Sequence, residues 1–184
     1  MHKILIIYSW FVRTATYFLP NSPSIMRFRG FLYGIGMTSC GKNFQITSSV
    51  YFNSVKGMII GDNVYIAHNT VIIASSIAIE DNVIIGPNCV ISDGNHIFRN
   101  GSFRFSYLNW KEATLKKNLS LKHSVTLKKG SWVGANCTLV GGTVLPEGSI
   151  LAAGAVLTKS FTDKMKIYGG VPAKNIGCVQ EDES

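Results

Sequence analysis

Aliphatic residues recur every six positions through most of the chain, and this spacing dominates its pattern of apolar and polar residues. One block runs from Ile60 to Ile97 with a single inserted residue, and a second runs without interruption from Leu127 to Leu157. A helix of 3.6 residues per turn cannot keep such positions on one face, whereas short strands joined by tight corners can. The pattern therefore predicts an all-β solenoid. The repeated positions are Ile60, Ile66, Ile72, Ile79, Ile85, Ile91, Ile97, Leu127, Val133, Leu139, Leu145, Leu151 and Leu157.

A second set of residues, with small or slim side chains, stands two positions before the aliphatic ones. Both sets are predicted to point inward, with three six-residue units per turn of a triangular prism and coils stacked at about 4.8 Å. Two members, Cys89 and Cys137, are interpreted as core filler, and the chain has no Cys-x-x-Cys pair, which fits a reducing compartment. The slim positions are Val64, Thr70, Val83, Cys89, Val125, Ser131, Cys137, Thr143, Ser149 and Ala155.

Two segments depart from the rhythm. Residues 21–24 have helix-start chemistry, apolar residues at helical spacing follow, and Gly34 and Gly36 end the pattern. We expect two short helices that cover the open end of the solenoid. Residues 98–124 replace the repeat with aromatic and cationic residues, which predicts an excursion loop. The predicted parts are a helical cap over 1–43, the solenoid domain over 44–176 and a tail over 177–184.

The chain is basic, with 18 Lys and Arg against 10 Asp and Glu, and no acidic residue precedes Asp62. Such a charge favours anionic partners, but no nucleic-acid-binding motif accompanies it, so nucleic acid is not expected. The first apolar stretch is too short to span a bilayer, and Arg13 interrupts its likeness to a signal peptide. We expect a cytoplasmic protein whose N-terminal helices could contact the inner face of a membrane.

The repeat over residues 44–176 resembles the hexapeptide-repeat acyltransferases, in particular the polysaccharide, galactoside and maltose O-acetyltransferases. This resemblance implies a left-handed parallel β-helix and assembly as a homotrimer with donor sites between neighbours. The string Ser92, Asp93, Gly94, Asn95, His96 is similar to the family's segment around its catalytic histidine. His96 stands where the rhythm points outward, and imidazole suits a general base near neutral pH. Asp93 or a backbone carbonyl is the candidate for orienting it.

The donor site is predicted from stacking and from the same resemblance. An 18-residue turn places Ala135 under Ala153, and such small residues leave a groove for an extended ligand like the pantetheine arm of coenzyme A. The backbone N–H of Ala135 is the candidate donor to the thioester oxygen as it becomes negative. The resemblance implies coenzyme contacts at Trp132, Ala135, Ala153, Thr158, Lys159 and Lys174.

These features predict an acetyl-CoA-dependent O-acetyltransferase that modifies a sugar or polysaccharide precursor and needs no metal. Three alternatives remain open at this point. One is N-acetylation of an amino sugar, and another is a non-catalytic scaffold. The third is a zinc enzyme like the gamma-class carbonic anhydrases, with ligands from His68, His96 and His123, although the close His-x-x-x-x-His pair of that class is missing. The acceptor, its hydroxyl and the exact acyl group are not indicated.

Overall fold

The computed structural model describes residues 2–74, 76–93 and 124–179, and within them two helices precede seventeen short strands. The helices are α1 (His2–Thr16) and α2 (Pro23–Gly34). The strands are β1 (Ser39–Cys40), β2 (Gln45–Ile46), β3 (Tyr51–Phe52), β4 (Met58–Ile60), β5 (Tyr65–Ile66), β6 (Val71–Ile73), β7 (Ile77–Ile79), β8 (Ile84–Ile85), β9 (Val90–Ser92), β10 (Val125–Leu127), β11 (Trp132–Val133), β12 (Thr138–Val140), β13 (Val144–Leu145), β14 (Ile150–Leu151), β15 (Val156–Leu157), β16 (Lys166–Gly169) and β17 (Lys174–Cys178).

The strands stack into three sheets that form the walls of a parallel β-solenoid. Sheet A has the order β1-β4-β7-β10-β13, sheet B the order β17-β16-β14-β11-β8-β5-β2, and sheet C the order β15-β12-β9-β6-β3. Neighbouring strands are parallel except β16 and β17, which form an antiparallel pair. The predicted solenoid with two N-terminal helices is confirmed. The first strand already begins at Ser39, inside the segment predicted as helical cap.

The coils resume in register on both sides of residues 94–123. Strand β10 pairs with β7 so that Thr126 lies beside Ala78, and β12 pairs with β9 so that Leu139 lies beside Ile91. The predicted excursion over 98–124 falls almost entirely outside the described residues. The stacking before and after it is continuous, so the core does not depend on that segment for its alignment.

The interior of the solenoid consists of the two predicted inward positions of each unit. All described residues at these positions are buried, including the cysteines expected to fill the core. The Cys89 thiol donates to the Gly134 carbonyl at 3.1 Å, and the Cys137 thiol donates to the Ala152 carbonyl at 3.1 Å. The neighbouring Cys137 thiol, together with burial, raises the pKa of Cys89 above its ordinary value. A neutral, inaccessible thiol of this kind is core material and not a nucleophile.

The corners turn through residues with positive φ that directly precede the slim inward positions. Asn88 and Asn136 have φ of 57° and 58°, and Gly130 and Gly154 occupy the same region at 66° and 74°. Asn and Gly tolerate this left-handed conformation better than other residues. Gly134, the small residue directly after Val133, serves close packing and not the turn. A Cβ there would lie 2.7 Å from the Ala153 nitrogen of the next coil.

The two helices cover the end of the solenoid at which β2 lies, and Arg29 joins them to it. The buried Arg29 guanidinium donates to the Ile46 carbonyl at 2.6 Å in the first coil, and to the Thr16 carbonyl at 3.1 Å at the end of α1. It also donates to the Leu19 carbonyl and to the Asn21 side chain in the connecting turn. Burial lowers the pKa of Arg29. Backbone and amide oxygens, rather than a carboxylate, thus satisfy this buried cation. In the part of the chain that is described, no helix is long and apolar enough to cross a membrane.

Candidate functional site

Small residues stack directly on one another where sheet B turns into sheet C. Pairing of Val133 with Leu151 and with Ile85 puts Ala135 in register with Ala153 on one side and Pro87 on the other. The Asn136 N–H donates to the Pro87 carbonyl at 2.9 Å, and the Gly154 N–H donates to the Ala135 carbonyl at 2.8 Å. We call the column Pro87, Ala135, Ala153 and Gly170 the first edge of sheet C.

Stacking of the coils does not use the N–H at the Ala135 position. The equivalent residue of the preceding coil is Pro87, which has no N–H, and both residues are followed by an asparagine in the same left-handed conformation. Ala135 is partly exposed. The carbonyl of each of these residues holds the next coil, and within residues 2–74, 76–93 and 124–179 no acceptor pairs with the Ala135 N–H. This is the donor that the predicted oxyanion contact requires.

A second group of predicted residues lies where sheet C turns into sheet A. Ser92 pairs with Val140, and the continued register stacks Asp93, Gly141 and Lys159 one above another. Thr158 and Lys159 are exposed, and the Lys159 ammonium lies 5.3 Å from the centre of the Phe161 ring. We call the column Asp93, Gly141 and Lys159, with the neighbouring Thr158, the second edge of sheet C. It carries charged side chains where the first edge carries almost none.

Asp93 has a defined structural partner at this second edge. Its carboxylate Oδ2 accepts the Ser76 backbone N–H at 2.9 Å, which ties the end of β9 to the coil corner before β7. Asp62 and Asp81 accept backbone N–H groups across coils in the same way at another corner. Residues 94–123 follow Asp93 directly, so Asp93 anchors the point from which the segment containing His96 departs. His96 itself lies outside the described residues, and its orientation by Asp93 stays a prediction.

The remaining two predicted contacts fall on or near the first edge. Strand β17 pairs antiparallel with β16 so that Lys174 lies opposite Gly169, next to Gly170 of the first edge. Trp132 lies on the outer face of sheet B, with Ile84 and Ile150 as its neighbours in register, and is 48% exposed. Lys174 is exposed as well. The first edge therefore combines backbone groups with one cation and has an apolar face beside it.

The two edges lie at opposite ends of β12. Ala135 and Gly141 are six positions apart and stand on successive corners of the prism. Ala135, Ala153 and Lys174 share the first edge, whereas Asp93, Thr158 and Lys159 share the second. The family resemblance predicts donor sites between neighbouring chains, but it does not predict which of these residues share a corner. The signal was available, because residues six apart in a three-sided prism lie on successive corners.

Of the three histidines in the zinc alternative, His68 is the one within the described residues. Among them, no group of three His, Cys, Asp or Glu side chains is placed to hold a metal ion. His68 is exposed on the first edge, in register with Pro87 of the next coil. His96 and His123, the other two histidines of that alternative, lie outside the described residues.

Comparison with known proteins decides the family. Residues 128–159 match the family described as the hexapeptide repeat of succinyl-transferase. The chain is 30% identical over 157 residues to an Escherichia coli protein named as a lipopolysaccharide biosynthesis O-acetyl transferase, covering 83% of this chain and 77% of that protein. This chain belongs to the hexapeptide-repeat acetyltransferases. The predicted family and the predicted class of enzyme are confirmed.

Solved structures of such acetyltransferases share the fold. A galactoside acetyltransferase in complex with coenzyme A is 22% identical, with a TM-score of 0.74 over 97% of this chain and 82% of that chain. A hexapeptide-repeat acetyltransferase of Vibrio cholerae, complexed with acetyl coenzyme A, is 17% identical, with a TM-score of 0.72 over 97% and 89% of the two chains. The solenoid and its helical cap are therefore features that this acetyltransferase shares with proteins able to bind the coenzyme.

Proposed function

We propose that this acetyltransferase moves an acetyl group from acetyl-CoA to a hydroxyl of a sugar or polysaccharide precursor, with His96 as general base. The observation that carries the proposal is the Ala135 corner, where an N–H without an acceptor among the described residues lies on a column of small residues. Family membership supports the reaction class. The acceptor class is supported by the relatives named for galactoside and lipopolysaccharide, and the donor by the two coenzyme complexes.

His96 performs the proton transfer in this proposal. Its imidazole takes the proton from the acceptor hydroxyl as that oxygen attacks the thioester carbonyl carbon, and no acyl-enzyme forms. The Ala135 N–H donates to the carbonyl oxygen while it carries negative charge, a contact worth about 3 kcal/mol for one good donor. When the carbon–sulfur bond breaks, the proton held by His96 passes to the departing thiolate. The products are an acetyl ester and the free thiol of coenzyme A.

The donor lies along the first edge. A column of Ala and Gly residues leaves room for the pantetheine arm, whose amides can bond to backbone groups there. Lys174 stands beside this column and Lys159 stands on the second edge, and both are exposed cations suited to the phosphates of the nucleotide. Thr158 adds a hydroxyl next to Lys159. Trp132 supplies an apolar surface at the approach to the first edge.

Two copies of the chain are needed to build one site. Three copies around a threefold axis would set the first edge of one against the second edge of its neighbour, which brings Ala135 of one chain near the segment that follows Asp93 of another. The exposed outer face of sheet B, with Ile84 and Trp132 in register, supports such a contact because large exposed apolar side chains in a column favour burial in an assembly.

The test is release of the coenzyme thiol in the presence of sugars, amino sugars and polysaccharide fragments. His96→Ala is expected to lower kcat by about 10² to 10⁴-fold because it removes the general base. His2→Ala, the same change in helix α1 and away from both edges of sheet C, is expected to leave kcat unchanged. Circular dichroism verifies that both variants fold.

Three results would contradict parts of this proposal. Unchanged turnover in His96→Ala would remove that residue from catalysis. An acetylated product that resists hydroxylamine would be an amide and not an ester, which would identify an amino sugar as acceptor. Stoichiometric zinc by elemental analysis, with activity lost in His68→Ala, would favour the anhydrase-like alternative.

A further inference from the structure

Helix α1 is apolar on two sides, and only one of them is covered. The covered side faces α2 and the first coils: Val12 and Thr16 are buried, and the Tyr8 hydroxyl donates to the Leu32 carbonyl at 2.7 Å. The other side carries a set of large side chains at helical spacing. A helix with apolar residues all round is normally buried on every side.

The uncovered side forms one coherent strip. Positions 4, 7 and 11 follow the i, i+3, i+7 spacing that keeps residues on a single helical face, and residue 10 lies beside them. Each of these side chains is more than 60% exposed. We call this set the apolar stripe of α1; it consists of Ile4, Ile7, Trp10 and Phe11.

Helix α2 repeats this arrangement on a smaller scale. Phe28, Phe31 and Ile35 recur at helical spacing and are exposed, while Met26 and Tyr33 of the same segment are buried. The exposed aromatic residues of the cap thus lie on both helices. Isolated apolar side chains on a surface need no explanation, but a set ordered along helices indicates an interaction surface.

The charge around the stripe selects the kind of partner. Residues 1–61 contain six Lys and Arg residues and no Asp or Glu. Arg27 is exposed on α2 next to Phe28. Arg13, in the last turn of α1, is half-buried with its guanidinium 5.5 Å from the centre of the Tyr51 ring, so Arg27 and not Arg13 is the cap cation open to a partner. A second copy docked on the same surface would bring like charges together, whereas a surface that is apolar beneath and anionic above complements both features. Anionic phospholipid bilayers have that chemistry.

We propose that the apolar stripe of α1 docks this acetyltransferase peripherally on an anionic phospholipid bilayer. The helix lies in the plane of the interface, with the four stripe side chains in the boundary between headgroups and acyl chains and the exposed Arg27 of α2 on the lipid phosphates. The inference is independent of the proposed reaction, since none of the stripe residues belongs to either edge of sheet C.

Vesicle co-sedimentation of the full chain tests the proposal. Vesicles of phosphatidylcholine with phosphatidylglycerol are expected to bind the protein, and vesicles of phosphatidylcholine alone are expected to bind it weakly. The double change Ile7→Gln and Phe11→Gln is expected to weaken binding to the anionic vesicles by at least about tenfold, because two inserting side chains lose their apolar character. Glutamine is a good helix former, so the helix is retained.

The matched control is Ile176→Gln. Ile176 and Ile7 are both 64% exposed, but Ile176 lies in β17, at the opposite end of sheet B from β2 and the helical cap. This variant is expected to bind the vesicles like the unchanged protein, and circular dichroism compares the helix content of all variants.

Absence of binding to the anionic vesicles would overturn the proposal. So would equal binding by the unchanged protein and the double variant. Light scattering tests whether a second copy of this chain occupies the stripe instead. If the double variant forms a smaller oligomer than the unchanged protein, the stripe is an interface between copies and not a lipid contact.

Discussion

The two edges of sheet C are built from the same strands and end in opposite kinds of chemistry. At the first edge Ala135 and Ala153 stack in register, and the Gly154 N–H donates to the Ala135 carbonyl. At the second edge Asp93 and Lys159 project charged side chains, and the chain departs there into the segment that contains His96. In the proposed reaction the oxyanion donor belongs to the first edge and the segment with the base follows the second. The proposed site therefore depends on contact between copies of the chain.

Within the two edges of sheet C, the largest expected effect comes from removing the backbone donor of the first edge. Ala135→Pro deletes the N–H without altering the corner, because the preceding coil already has Gly86 and Pro87 at the same two positions and the same left-handed residue after them. We expect kcat to fall by about 10² to 10³-fold, the usual cost of one oxyanion donor. Steady-state kinetics with saturating acetyl-CoA measure it.

Ala135→Ser is the control for that change, since it alters the side chain and retains the N–H. Turnover close to that of the unchanged protein is expected. If the serine and proline variants lose activity equally, the backbone donor has no part in the reaction and the site is sterically sensitive instead.

Mixing two inactive variants tests whether the edges of different copies meet. Chains with His96→Ala and chains with Ala135→Pro are each expected to be nearly inactive alone. In a random trimer with one edge from each of two neighbours, about a quarter of the sites would contain both intact groups. Co-expression of the two variants should therefore recover about a quarter of the unchanged activity. No recovery would mean that one chain supplies both groups to the same site.

The close packing of the first edge predicts a smaller effect on stability. A Cβ at Gly134 would lie 2.7 Å from the Ala153 nitrogen, so Gly134→Ala forces neighbouring coils apart. We expect it to lower the free energy of unfolding by about 1–3 kcal/mol, as overpacked cores do. Gly130→Asn is the comparison, because a Cβ there meets nothing within 4 Å and asparagine tolerates its φ of 66°. Urea unfolding that ranks the two variants equally would contradict this account.

The smallest expected effect lies in the helical cap, away from both edges. Burial raises the pKa of Tyr33 to about 12 from its ordinary value of 10.0. The stabilisation from its neutral hydroxyl is complete below pH 10 and is lost as the pH rises from 10 to 12. At pH 11 the stabilisation lost amounts to about 1 kcal/mol. Urea unfolding should show that the free energy of unfolding falls between pH 8 and pH 11, and that it falls less in Tyr33→Phe. An equal fall in both proteins would mean that Tyr33 does not contribute.

The repeat alone was sufficient to predict the coils. Residues such as Ile66 and Leu139 have no alternative to the interior, because a period of six in a three-sided prism leaves two inward positions per unit. The tight corners were also predictable from the sequence, since Asn88 and Asn136 each precede a slim inward residue and asparagine tolerates positive φ. What the spacing could not reveal was the reason for Gly134, which depends on the separation of backbones in adjacent coils.

The candidate site was predictable only in part for the same reason. Stacking arithmetic identified Ala135 and Ala153 as neighbours, and the structure bears that out. The role of Asp93 as an anchor for the Ser76 N–H depends on a contact across coils that no local pattern encodes. The position of His96 belongs to the segment without a repeat, where periodicity gives no constraint on direction.

The coils resume in register after residue 123, so the stacked core and the inserted segment can change independently. Because Thr126 returns to the place beside Ala78 that an uninterrupted solenoid would have used, substitutions or changes of length between the two blocks need not disturb the stacked walls. Under the proposed function, the inserted segment could therefore change with the acceptor while the first edge, proposed to hold acetyl-CoA, keeps its shape. Exchanging that segment between relatives is the corresponding route to altered specificity in the laboratory.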